Sequence, residues 1–118
     1  MVHETNLFSI QKDPNKPLNI TATEIRQYIG VTIYMSLVHL PNVRSFWSEE
    51  LGFDKVKNTI TCNRYEKIRQ FLHFNNNETM IPRNNPGYDR LHKIRPFIDS
   101  LNKNFRSIPL EHCLSIDE

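Results

Sequence analysis

Thr21-Ala22-Thr23-Glu24-Ile25-Arg26-Gln27-Tyr28-Ile29-Gly30-Val31-Thr32-Ile33-Tyr34-Met35-Ser36-Leu37-Val38-His39-Leu40-Pro41 is the stretch on which the fold turns. Thr21-x-x-Glu24 matches a capping box, in which hydroxyl and carboxylate satisfy free backbone donors at a helix start. The spacing predicts a helix from 21 to about 38, stopped by Pro41. Past Ile29 the segment has almost no polar face, and a helix apolar all round is expected to be buried. Gly30 and Ser36 are small enough to let neighbouring elements approach it closely.

Outward toward the N-terminus the signals weaken. Residues 1–20 read as an extended lead-in without a core of their own. Asp13-Pro14-Asn15-Lys16-Pro17 supports this, because each Pro biases its predecessor away from helix. Outward toward the C-terminus, Asn42 to Ser48 reads as a helical turn whose Phe46-Trp47 pair anchors a core. Leu51-Gly52-Phe53 reads as a turn. A helix is expected over 63–74, with Asn63-x-x-Glu66 as a second capping box and Tyr65, Ile68 and Leu72 on one stripe. Residues 75–87 carry five Asn, two Pro and a Gly, a loop composition.

Beyond the loop, Leu91, Ile94, Ile98, Leu101, Phe105 and Ile108 alternate steps of three and four, the clearest helical stripe in the chain. Asp89 is the expected N-cap. Pro96 should kink or split this helix, and Pro109 should stop it. The segment from His112 to Ile116 reads as a strand that delivers Asp117 and Glu118 to its end. Such an end suits a fragment of a larger fold, with further chemistry downstream.

Composition bounds the function. The 118 residues include 38% hydrophobic residues, enough for a modest core and unlike a disordered chain. Met1-Val2-His3-Glu4-Thr5 has no basic and apolar leader pattern, and no run approaches the ~20 apolar residues of a membrane span. With only Cys62 and Cys113 and no CxxC spacing, reduced thiols are expected. Cys62 lies near a helix start, a place that can lower a thiol pKa, but no base accompanies it. There is no glycine-rich phosphate loop, no GxSxG, no HExxH, and no metal-ligand spacing among the five His.

Charge is uneven along the chain. Residues 1–59 are balanced, residues 60–110 carry nine Lys/Arg against four acids, and residues 111–118 carry three acids and no base. A basic middle beside an acidic tip can hold a polyanion next to a metal-binding carboxylate. The same charges also suit a solvated helix surface.

Tyr88-Asp89-Arg90-Leu91-His92-Lys93-Ile94-Arg95-Pro96-Phe97-Ile98-Asp99, followed after some fifteen residues by Leu114-Ser115-Ile116-Asp117-Glu118, resembles the piggyBac transposase family and its domesticated derivatives. Three more passages match in order: Glu24 to Leu40 with Pro41, Phe46-Trp47-Ser48, and Arg64-Tyr65-Glu66-Lys67-Ile68 through Phe71-Leu72-His73-Phe74. Phe46 stands where the family usually has Tyr, and Ser36 where Gly is common. The resemblance implies a mainly α fragment. A helical dimerisation and DNA-binding region over 21–110 would lead into the first strand of an RNase H-like α/β domain over 111–118.

The resemblance also implies that Asp117 is the first of three catalytic aspartates, a Mg²⁺ ligand for cleavage and strand transfer at transposon ends. Mg²⁺ would be bound only in a complete catalytic domain, and none is expected for this chain alone. Two aspartates and the Cys-rich zinc-binding module of the family are absent, so the chain by itself is expected to be inactive. Arg64, Lys67, Arg90, Lys93, Arg95, Lys103 and Arg106 are the candidate phosphate contacts. The implied partners are DNA and a second copy of the full-length protein, and the implied location is the nucleus. The alternative is a non-catalytic helical interaction module in which the apolar stripe from Leu91 to Phe105 packs internally or on a partner.

Overall fold

The computed structural model describes residues 1–109. It is mainly helical, with no strand among the described residues. The chain forms two compact units, Met1–His73 and a second that begins at Phe74. The strand expected at 112–116, and with it Asp117, lies outside the described residues.

The first unit contains α1 (Val2–Lys12), α2 (Ala22–Leu37), a 3-10 turn (Val43–Trp47), the single-turn α3 (Asp54–Lys57) and α4 (Cys62–Phe71). α2 begins with the capping box read from the sequence: Thr21 Oγ1 accepts from the Glu24 amide, and the Glu24 carboxylate accepts from the Thr21 amide. α2 meets α4 where Tyr28 stacks on Tyr65, with ring centroids 4.8 Å apart. The Tyr65 hydroxyl also lies 3.0 Å from Thr32 Oγ1, which satisfies a phenol that burial would otherwise penalise. Leu18, Ile20, Ile25, Val31, Phe46, Val56, Ile60 and Ile68 complete the core. Ile68 is fully buried, so truncation to Ala should cost about 2–5 kcal/mol. Trp47 closes the edge by donating Nε1–H to the Ile60 carbonyl at 2.8 Å.

Three expectations are corrected here. The first half of the extended lead-in is helix α1. Its buried positions are Thr5 and Ser9, small polar residues that leave no hydrophobic period to read. They are buried because their hydroxyls have partners. Ser9 Oγ accepts from the Leu18 amide at 2.7 Å, and Thr5 Oγ1 meets the His73 backbone at 3.2 Å. Asn6 holds both polar groups of the Ile20 backbone, at 2.7 and 3.0 Å. The chain turns between them at Asn19, whose φ of 49° is a left-handed conformation that Asn tolerates.

Secondly, α2 is not buried all round. Ile25, Tyr28 and Val31 face the core, while Ile33 and Leu37 are 59% and 76% exposed. A core this small covers one helix face only. Thirdly, α4 spans Cys62–Phe71 and not 63–74, and its cap is Thr61, two residues before the expected Asn63; the Thr61 hydroxyl accepts from the Arg64 amide. The expected Asn63–Glu66 box does not form because Glu66 turns outward to Arg44, at 2.6 and 2.9 Å.

In the second unit, a 3-10 turn (Asn77–Thr79) interrupts the loop, and a 3-10 turn (His92–Ile94) runs into α5 (Arg95–Arg106). The helical segment is therefore split, as the sequence suggested, with Pro96 in the first turn of α5. That is where a missing amide proton costs nothing. Phe74 packs on Phe97 with centroids 5.2 Å apart. Asn75 Nδ2 donates to the His92 carbonyl at 2.7 Å, and the His92 ring lies 3.0 Å from the Asn76 carbonyl. These bonds tie the loop to the helix entry.

Candidate nucleic-acid interface

The seven basic residues singled out from the sequence divide by what their side chains already touch. Arg64 is placed by the first turns of α4 and points at the N-terminus of α2. Its Nε and Nη2 donate to the Glu24 carboxylate at 2.7 and 3.0 Å, and its Nη1 donates to the Leu18 carbonyl at 3.1 Å. The Arg64 hydrogen bonds hold the Glu24 carboxyl below its usual range, against a smaller opposing effect of burial. Arg64 is thus a strut joining three segments, and its fork is occupied.

Arg95 is also occupied. Its Nε and Nη2 donate to Asp89 at 2.8 and 2.7 Å. Asp89 Oδ1 accepts in addition from the Leu91 amide at 2.9 Å, but Asp89 is not the expected N-cap: the 3-10 turn is capped at Leu91 and α5 at Ile94, neither by a side-chain bond, because the Asp89 carboxylate is turned to Arg95. Hydrogen bonds from Arg95, then from the Leu91 amide, lower the Asp89 pKa to about 2.

The other five are exposed and form no ion pair among the described residues: Lys67 on α4, and Arg90, Lys93, Lys103 and Arg106 in the second unit. Lys103 and Arg106 lie three residues apart on α5, on the side occupied by Arg95 and Asp99. Ile98, Leu101 and Phe105 line the other side, as the 3.6-residue period requires. Asp99 shares that flank but forms no ion pair among the described residues, so Lys103 and Arg106 can approach phosphate without breaking a salt bridge.

No cluster of His, Cys, Asp and Glu able to hold a metal ion occurs among the described residues. Asp117 lies outside them, so no donor set for Mg²⁺ is on view. His73 stacks on Phe8 at 3.6 Å, with Nδ1 3.0 Å from the Phe71 carbonyl, which is a packing role. Cys62 is a free, half-buried thiol. Burial, and secondarily the Glu66 carboxylate, raise its pKa, so the helix start does not activate it as a nucleophile. No helix of the described residues is long and apolar enough to cross a membrane.

Sequence reasoning missed the commitment of Arg64 and Arg95 to carboxylates. The Arg95 pair had a signal in the chain, since Asp89 and Arg95 flank one turn. The Arg64–Glu24 pair spans 40 residues and had none.

Comparison with known proteins completes the picture. The family model described as Transposase IS4 matches residues 1–118. The PiggyBac transposable element-derived protein 2 of Homo sapiens is 34% identical over 121 residues, covering 100% of this chain and 19% of that protein. PiggyBac transposable element-derived protein 3 of Homo sapiens is 27% identical over the same span, again with 19% of its length covered. PiggyBac transposable element-derived protein 5 of Homo sapiens is 30% identical over 93 residues, 76% of this chain and 16% of its own length. The chain therefore spans about a fifth of the curated relatives it matches. No solved structure matches it.

Proposed function

The chain belongs to the transposase IS4 family, with piggyBac transposable element-derived proteins as its relatives, and on that premise we propose that it is the DNA-contacting helical part of a piggyBac-like transposase or a domesticated derivative. The observation that carries this reading is the set of exposed, unpaired cations at Arg90, Lys93, Lys103 and Arg106. The Arg95–Asp89 pair braces the turn that carries Arg90 and Lys93, and Lys103 and Arg106 stand on α5. Lys67 on α4 is a further candidate. Arg64 and Arg95 act by positioning, not by touching phosphate. The exposed cations between Arg90 and Arg106 would hold the backbone of a transposon end in the nucleus, and a second copy of the full-length protein would pair with the first.

In the same reading Asp117 is the first of three catalytic aspartates. A single carboxylate does not hold Mg²⁺ by itself, so cleavage belongs to a complete catalytic domain. The test is fluorescence anisotropy of a labelled DNA duplex against salt. Each phosphate contact contributes a slope of about 0.9 in log affinity against log salt. Lys103→Glu with Arg106→Glu should weaken binding and flatten the slope by about 2. Affinity that does not respond to salt, or to this pair, would refute the reading.

A second reading, a non-catalytic interaction module, is favoured by one observation. Phe97 and Phe105 on α5, and Ile108 just beyond its end, are all exposed, Phe105 by 63%. Such a surface suits packing against protein. Salt-insensitive binding to DNA, or none, with retained association of the chain would select it.

A further inference from the structure

Between α2 and α3 runs a groove of about 380 Å³. Gly30, Val31, Tyr34 and Val56 form its floor, and Arg26 and Lys55 stand on its rim. Val31 and Val56 are buried, so part of the floor belongs to the core. Gly30 lies in the interior of α2, where glycine is less favourable than alanine. A Cβ built there meets nothing within 4 Å. No packing contact among the described residues accounts for the missing side chain. What its absence provides is room for another backbone to approach the helix closely. Arg26 and Lys55 form no ion pair among the described residues.

We propose that this groove docks an acidic peptide segment of a partner protein. An aliphatic or aromatic side chain sits over Gly30 between Tyr34 and Val56, and carboxylates on either side meet Arg26 and Lys55. The charge of the rim selects an acidic partner, and the apolar floor argues against nucleic acid, whose sugar-phosphate backbone finds few donors there. The site is independent of the cations assigned to DNA in the second unit.

The experiment is amide chemical-shift mapping on the ¹⁵N-labelled chain. The probe is a short synthetic peptide of Glu, Asp, Leu and Phe, and the controls are its counterpart with Lys for every acid and a DNA duplex. Shifts confined to residues 26–34 and 55–59 are expected. Gly30→Leu should abolish them, and Arg26→Glu with Lys55→Glu should weaken binding about tenfold or more. The exposed double variant keeps the test decisive if Gly30→Leu perturbs the fold. Equal binding of the lysine peptide, shifts spread elsewhere, or DNA competing for the same amides would each overturn the proposal.

Discussion

Replacing Arg64 with Met should destabilise the first unit and leave DNA affinity nearly unchanged, the reverse of what a phosphate contact would do. Met keeps much of the alkyl packing but removes three hydrogen bonds, two to Glu24 and one to the Leu18 carbonyl. The two charged side chains are 28% and 25% exposed, so the ion pair is screened and contributes only about 1 kcal/mol. The charged bond to the Leu18 carbonyl adds about 1 kcal/mol, because water replaces it imperfectly. A loss of about 2 kcal/mol lowers the melting temperature of a unit this size by on the order of 10 °C. Thermal unfolding followed by circular dichroism at neutral pH reads this directly. Glu24→Gln keeps the capping geometry and removes the charge, so the double variant should show a coupling of about 1 kcal/mol. Lys67→Met on the same helix should leave stability unchanged. If Arg64→Met melts with the parent and instead weakens DNA binding most, the strut assignment is wrong.

Three further outcomes follow from local geometry. Thr61→Ala should cost about 1 kcal/mol by removing the α4 cap, whereas Asn63→Ala should cost almost nothing; urea unfolding distinguishes them. Gly52→Ala should cost about 2 kcal/mol, because a Cβ there presses into the Ser48 carbonyl and lies 2.8 Å from the Phe46 carbonyl oxygen; a neutral melting temperature would contradict it. The Asp89 carboxyl, lowered to about 2 by Arg95, is favoured in its charged form by the fold. Its contribution is therefore complete above the ordinary carboxylate range and lost as pH falls through about 2. A carboxyl titration by NMR should place its midpoint there, and Arg95→Met should return it toward 3.8.

Much of the helical layout was legible because its signals are local. The capping box at Thr21 and Glu24, the stop before Pro41, the anchoring by Phe46 and the break ahead of Pro96 each rest on neighbouring residues, where backbone sterics act, and the apolar period announced α5, though the helix covers only Arg95–Arg106 of the stripe from Leu91 to Ile108. The ordered matches that pointed to the transposase family are likewise features of the chain itself. α1 escaped notice because Thr5 and Ser9 are buried through hydrogen bonds to Leu18 and His73, residues that only folding brings near. Burial of α2 was overestimated because a run of apolar residues says nothing about how many faces its neighbours cover. The same limit applied to charge. Seven cations looked equivalent along the chain, yet Arg64 is spent on Glu24, 40 residues away, and Arg95 on Asp89. Sequence determined which residues could be helical, buried or basic. Tertiary structure alone decided that Arg64 is paired, because an ion pair depends on distance in space and Glu24 lies 40 residues away along the chain.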